Sequence, residues 1–560
     1  MDSSTSPPNS VPRYPHSTSI PFPTQVSRLS LDAIAPVLAK LLDRSDLVFL
    51  SLDTEFSGMG TGPGSSVFRE KNIQERYKQI RGIVMGHGLV GLGLTVVLRD
   101  TGDRASNHGA HTLQPEDEDS NGIDFSVHNF EFLTLREDSH LISPSSAAFL
   151  ATHGHDFNRQ FILGIPYLPG DDGVAHAHAH QEMAGRKGGA VPPKPPPPPT
   201  PNLSTPLHPL RMLVMRLLRA AHARHVPIVF HNGILDLMFL HHHLYASLPR
   251  TLEEFAGDLA EAAGGGGWWD TKYVAEYGET EDSLDLGSKA GADLGKSWER
   301  EESSFLGFLF RKYERLNTRR RHLRLPFLRF HVAEPLAPPP PPPTPIPPPP
   351  VQHTEIASAS SGPKNLRDLP YCASYAHHGF CKDGRACQKS HDLDVAMDWD
   401  EEKRKVPRLE DIEPESLDAP GKKMAPQTGS KRSRSTAPES VVKRPRLADN
   451  WAVSTSDDAD ASARVHPTSA HSAALDSYMT AFVFAFQRLL HCTPGAPVSK
   501  TWDPNDLPSG WDKYRNKVYL SGKDQPLLLR RGALGKSGEG HREKWKHWGN
   551  WATSVTMSGV

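Results

Sequence analysis

Apolar positions along the first part of the chain follow two different periods. In "LDAIAPVLAKLLDRSD", from Leu31, they recur every three or four residues, as on one face of a helix. "LVFLSLDTEF", from Leu47, is instead a short continuous apolar run that turns polar at its end, the pattern of a buried central strand. "ERYKQIRGIV" returns to helical spacing. "LVGLGLTVVL" and "NFEFLTL" predict strands, with the polar residues 100–122 as a loop between them. Further on, "LRMLVMRLLRAAHARH" predicts a helix, "PIVFHN" a strand and "LDLMFLHHHLY" a helix. "SSFLGFLFRKYERLN" predicts another helix, with basic residues in its last turn. The last periodic stretch, "HSAALDSYMTAFVFAFQRLL" from His471, predicts an amphipathic helix, and a short strand follows in "NKVYLSGK". Strands alternating with helices predict an α/β domain.

Between these elements the composition changes. The 560 residues include 51 prolines and 44 glycines, and only 37% are hydrophobic, so much of the length has no core to bury. The expected layout is 1–25 disordered, 26–170 folded, 171–205 a His/Pro-rich insertion and 206–332 folded. It continues with 333–365 as a proline-rich spacer, 366–395 as a cysteine module, 396–465 as a disordered basic segment, 466–525 as the last folded piece and 526–560 as a tail. The glycine run at 264–267 reads as an insertion. "PPKPPPPPTP" is expected to be an extended polyproline spacer. The helix after His471 is too isolated to fold alone, so it is expected to complete the domain that begins near residue 30.

A formal net charge of −2 makes any nucleic-acid surface a local one. The N-terminus lacks the basic and apolar regions of a secretory signal, and "HGLVGLGLTVVL" is too short to span a bilayer; the expectation is a soluble, intracellular protein with no membrane partner. Of four cysteines, three lie within sixteen residues, which fits a reducing compartment and one metal site better than a disulfide framework.

Three acidic patches carry the chemistry. Asp53 and Glu55 close the strand of "LVFLSLDTEF" at alternate positions, so both point to one face, where two carboxylates repel unless a cation such as Mg2+ or Mn2+ lies between them. Asp236 falls in the first turn of the helix after "VFHN", where it also suits the helix dipole. His471 and Asp476 straddle a helix start. Taken singly, each patch also reads as ordinary solvated or capping polarity.

In order, D-x-E, N-x3-D and H-x4-D resemble the signature of DEDDh exonucleases. "DTEFSG", "FHNGILDLMFL", "DTKYVAEY", "SSFLGFLFRKYERLN", "HSAALDSYMTAFV" and "NKVYLSGK" resemble, more narrowly, the poly(A)-specific ribonuclease and CAF-type deadenylase family. Some members of that family carry a CCCH finger and a basic segment inserted before the last motif. The resemblance implies a ribonuclease H-like fold, a mixed sheet flanked by helices. It implies Asp53, Glu55, Asp236 and Asp476 as ligands of two divalent cations, Mg2+ or Mn2+, and His471 as general base. The implied reaction releases nucleoside 5′-monophosphates from an RNA 3′ end. Asp270 matches a family aspartate that supports the site without binding metal, and Asn232 shapes the turn that presents Asp236. Where the family usually has glycine this chain has Ala474, a methyl that would crowd the His471 loop if the backbone there has positive φ. Relatives are often dimeric, so a homodimer is an expectation.

Cys372, Cys381, Cys387 and His391 stand in C-x8-C-x5-C-x3-H spacing, a closed tetrahedral set for one structural Zn2+. So short a module takes its folding energy from zinc. Tyr375 and Phe380 are placed to stack on unpaired bases, with Lys382, Arg385 and Lys389 near phosphates; packing over the zinc is the alternative. Residues 422–446 hold eight Lys/Arg and one Glu, which points to a nuclear import receptor and a nuclear, nucleolar or nuclear-body location. Two other readings stand beside the exoribonuclease: an RNA-binding scaffold on a degenerate nuclease fold, and a DNA exonuclease.

Overall fold

Because successive side chains of a strand alternate, Leu50 and Leu52 of "LVFLSLDTEF" enter one core while Phe49, two before Ser51 and four before Asp53, enters another. That alternation makes the strand the partition between two cores. In the computed structural model of the protein, the described residues are 22–59, 70–100, 121–170, 209–278, 303–336, 369–383, 387–403, 406, 408–409, 472–491, 502, 510–532 and 537–545.

The strands are β1 (Thr24–Val26), β2 (Leu47–Phe56), β3 (Leu89–Arg99), β4 (Gly122–Arg136), β5 (Ile165–Tyr167), β6 (Ile228–Phe230), β7 (Trp268–Asp270), β8 (Phe327–Val332), β9 (Lys517–Val518) and β10 (Leu527–Leu528). They form one mixed sheet in the order β1-β4-β3-β2-β6-β7-β9-β10. β2, β3 and β4 are antiparallel, whereas β6, β7 and β9 continue from β2 in parallel. The far edge of β4 is shared by β8, β1 and β5, all parallel to it.

The helices are α1 (Leu31–Leu42), α2 (Ile73–Gly86), α3 (Pro144–Thr152), α4 (Phe157–Leu163), α5 (Pro209–Arg224), α6 (Ile234–Leu240), α7 (Leu252–Ala263), α8 (Thr271–Tyr277), α9 (Leu306–His322), α10 (Ala373–His378), α11 (Leu393–Lys403) and α12 (Ala473–Leu490). α1, α2, α5, α6 and α7 fill one core, and α9 and α12 fill the other. The α/β fold with a mixed sheet is as expected, and α12 belongs to it. Phe484 lies edge-on to Phe49 at 5.0 Å and Phe482 edge-on to Phe310 at 5.4 Å, each such buried ring contributing roughly 2 kcal/mol.

Several expectations need correction. α12 is not amphipathic but buried almost all round, because it lies between the sheet on one side and α9 on the other. Its polar residues are accommodated: Ser477 bonds Thr95 at 2.9 Å, and the Gln487 amide donates to the Thr271 carbonyl at 2.9 Å. The folded chain starts before residue 26, with β1. It also continues past the finger's expected end: α11 runs to Lys403 in a stretch read as disordered. Beyond residue 525, β10 joins the sheet, and His541 is buried between Tyr245 (2.6 Å) and Glu261 (2.8 Å). The run at 264–267 is no loose insertion. Gly264 and Gly267 have φ of 58° and 71°, and a Cβ on Gly266 would lie 2.3 Å from the Val226 carbonyl oxygen. Only glycines make that turn into β7. The His/Pro-rich insertion, most of the proline spacer, the basic segment 422–446, Cys492, Arg385 and His471 lie outside the described residues.

Candidate active site

β2, β6 and β7 run in parallel, so their C-terminal ends share one edge of the sheet, the edge where ligands of open α/β sheets gather. Asp53 and Glu55 sit at that edge. Opposite them on β3 are Gly93 and Gly91, which bring no side chain to the face. The space over Gly93 is taken by the start of α12, whose Ser472 cap accepts from the Leu475 N–H at 3.2 Å. The first turn of α12 thereby presents Asp476. Ligand oxygens of Asp53, Glu55 and Asp476 lie within 4.8 Å of one another.

Asp236 stands beside this group rather than within it. It is 8% exposed, and its Oδ1 accepts from the Thr54 hydroxyl at 2.6 Å and the Thr54 N–H at 3.1 Å. Thr54, between the two β2 acids, thus ties the second acidic patch to the first. Asn232 has φ of 58°, the left-handed conformation that asparagine tolerates, and turns the chain from β6 into α6. Asp270 caps α8: its Oδ1 accepts from the N–H groups of Asn232 (2.9 Å), Lys272 (2.9 Å) and Tyr273 (3.4 Å), and its Oδ2 from Tyr519 (2.9 Å). It is a buried fastener of the turn that carries Asp236.

Electrostatically the cluster is unfinished. Loss of hydration, then repulsion from Asp236, Asp476 and Glu55, holds the Asp53 carboxyl well above the usual carboxylate range. Glu55 is raised likewise by desolvation, Asp476 and Glu131. Desolvation pushes Asp236 up to about 6 against the opposing Thr54 hydrogen bonds. Hard oxygen donors that repel one another at this spacing fit Mg2+ or Mn2+, which Asp53, Glu55 and Asp476 would hold with Asp236 beside them.

One acid escaped the sequence reading. Glu131 of β4 lies across Gly93 from Asp53 and contributes repulsion to Glu55. The Gln25 amide donates to it, and Arg159 donates to the Gln25 carbonyl oxygen at 3.0 Å. Its signal was a lone charge inside the strand "NFEFLTL". Ala474 is buried within α12, and the non-glycine residues of positive φ among those described are His225, Asn232, Arg324 and Asn516. The expected crowding there does not arise, because Ala474 is helical.

The cysteine module also converges: single donor atoms of Cys372, Cys381, Cys387 and His391 lie within 4.8 Å of one another. His391 Nε2 is buried without a hydrogen-bond partner, and burial pushes the Cys381 thiol up to about 11. A cation would relieve both, so the set fits Zn2+. The Tyr375 ring lies flat on His391, with centroids 4.5 Å apart, and edge-on to Phe305 at 6.4 Å. That face of Tyr375 is covered by His391. Phe380 and Lys389 are half-buried and Lys382 is exposed on the finger.

A carboxylate cluster at the C-terminal edge of a mixed sheet, closed by a helix from far along the chain, has the donor set of a divalent-cation site. Residues 26–195 and 210–484 match the CAF1 family ribonuclease, well over half of the chain, and the protein belongs to that family. It is 27% identical over 171 residues to poly(A)-specific ribonuclease PARN of Danio rerio and 27% over 169 residues to that of Xenopus laevis. Each match covers 30% of this chain, and the chain spans only about a quarter of those relatives, 24% and 25% of their lengths. Among solved structures it is similar to S. pombe Pop2p in its Mg2+- and Mn2+-bound form, at 16% identity and a TM-score of 0.27, covering 45% of this chain and 74% of that one.

Proposed function

We propose that the protein is a metal-dependent 3′→5′ exoribonuclease that trims oligo(A) or other unpaired 3′ tails in the nucleus and releases nucleoside 5′-monophosphates. The observation that carries this reading is the convergence of Asp53, Glu55 and Asp476, drawn from opposite ends of the chain, beside Asp236. When bound there, divalent cations supply charge for the attacking and leaving oxygens of an in-line displacement. The chain's own part is to hold those cations on four carboxylates and to seat the RNA 3′ end against the sheet edge. His471, five residues before Asp476 in the chain, takes the proton from the attacking water. The Cys3His finger holds Zn2+ and offers Phe380, Lys382, Arg385 and Lys389 to RNA. The basic segment 422–446 engages an import receptor, and the layout resembles that of the nuclear protein target of early growth response protein one. A homodimer, as among relatives, is part of the reading.

The test uses full-length protein, Mg2+ and 5′-labelled RNA ending in an A-tail or a matched mixed tail. Wild type shortens RNA from the 3′ end, Asp476→Ala is inert, and His471→Asn is slowed by roughly 10²–10⁴-fold, the usual contribution of a general base. The ratio of the two tails gives the preference for adenosine. Wild-type protein that binds RNA but never shortens it with Mg2+ or Mn2+ sinks the enzyme and leaves the scaffold.

A further inference from the structure

The finger is fastened to the nuclease domain, and the fastening leads to the active site along two routes. α11 begins directly after the zinc ligand His391 and packs back on α10 through Tyr371, Ala376 and Ala396. Its acids Asp394, Asp398 and Glu401 follow helical spacing and face α9. There Arg315 meets Asp394 at 2.6 Å, Asp398 at 2.8 Å and Glu401 at 3.3 Å, and Arg311 meets Asp394 at 2.7 Å. Both arginines are buried, Arg315 at 4% exposure. A second contact lies before α9, where the Ser303 hydroxyl donates to the His377 carbonyl at 2.7 Å and Phe305 packs against Tyr375 and Gly379.

From α9, the first route runs through Phe310 to Tyr478 (6.2 Å) and Phe482 (5.4 Å) of α12, the helix that presents Asp476. The second runs through Ser304, whose backbone is hydrogen-bonded to His231 at the end of β6, beside Asn232 and the turn to Asp236. Without zinc a module this small loses its folding energy, and α11 loses the platform that aims its acids. Arg311 and Arg315 would then be buried beside few carboxylates, a costly state that α9 escapes only by loosening.

We infer that zinc in the finger is an intramolecular effector of the nuclease site: the α11–α9 ion-pair clamp transmits finger folding to the helix bearing Asp476 and to the turn bearing Asp236. Arg315 and Arg311 are positioning residues in this scheme. The consequence for RNA cleavage rests on the nuclease reading, but the coupling does not.

The test is hydrogen exchange on full-length protein, with and without a zinc-selective chelator. Chelation is expected to speed exchange roughly tenfold, a typical coupling between sites, in α9 and in the first turns of α12 as well as in the finger. Zinc-loaded Arg315→Glu, its zinc content verified, is expected to reproduce the α9 and α12 change. Arg315→Lys, which keeps one charge but cannot fork to three carboxylates, gives a smaller change in the same direction and stands in if the first variant fails to fold. Faster exchange confined to residues 372–391 overturns the inference, as does an Arg315→Lys protein indistinguishable from wild type under both conditions. Because exchange is read without RNA, failure of the coupling and failure of the nuclease reading are separate results.

Discussion

Asp53→Asn is expected to abolish metal-dependent shortening of RNA and, at the same time, to make the metal-free protein more heat-stable. The two effects have one origin. Asp53 is raised by lost hydration and by three neighbouring carboxylates, so its charge in the folded state is a standing cost unless a cation offsets it. The amide keeps the shape and removes the charge, so the metal-free fold gains while cation binding fails. The activity loss should be at least about 10³-fold, as when a main electrostatic group is deleted from an active site. The sign of the pH dependence follows. Folded carboxyls raised above their unfolded values bind protons more tightly than the unfolded chain does. Their favourable contribution is therefore complete below about pH 4, the ordinary unfolded value, and is lost as pH rises through the folded one, which for Asp236 is about 6. Metal-free wild type should thus melt several degrees higher near pH 5.5 than near pH 7.5, and saturating Mg2+ should narrow that gap. Equal melting at both pH values, with wild type and Asp53→Asn alike, would contradict the account.

Gly93→Ala is the second large effect, and it is a steric one. A Cβ on Gly93 would lie 1.9 Å from the Ala473 carbonyl oxygen and 2.6 Å from the Ala474 nitrogen, both backbone atoms that cannot rotate aside. The first turn of α12 must lift, and Asp476 lifts with it. Overpacking of this kind costs about 1–3 kcal/mol, and a misplacement near 1 Å costs on the order of 10²-fold in rate. Gly91→Ala is the internal comparison. It lies on the same strand and the same face, opposite Glu55, but its Cβ would meet only the Glu55 side chain, at 3.4 Å. Denaturant unfolding and the trimming assay should separate the two variants clearly. A Gly93→Ala protein as active and stable as Gly91→Ala would mean that α12 does not rest on the strand as described.

Local chemistry was legible in the sequence and long-range fastening was not. The period of "LVFLSLDTEF" was enough to place Asp53 and Glu55 on one face, and the isolation of the last apolar helix was enough to assign it to the first domain. The misreading of α12 as amphipathic came from its polar residues: Ser477 and Gln487 are buried because β3 and α8 offer them partners, which no local period reveals. The link from Asp236 to Thr54 spans 182 residues, so the distance between the two acidic patches could not be read from either. The finger clamp left a trace that could have been followed. Asp394, Asp398 and Glu401 recur at helical spacing after the finger, and Arg311 and Arg315 do so on α9, but matching one charged stripe to another needs the fold. β8 and β10 are short strands held by their neighbours, with little alternation of their own to show.

Thr95 of β3 and Ser477 of α12, hydrogen-bonded to each other, are 382 residues apart in the chain. At about 5–20 residues per second, a ribosome needs roughly 20–80 s to travel from one to the other. Through that interval the growing chain carries Asp53 and Glu55 with no helix to complete them. On the nuclease reading, a half-made protein is harmless to the message that encodes it, and any product that stops short of α12 is inert. The order of elements along the chain thus withholds the third acidic patch until α12 has been made.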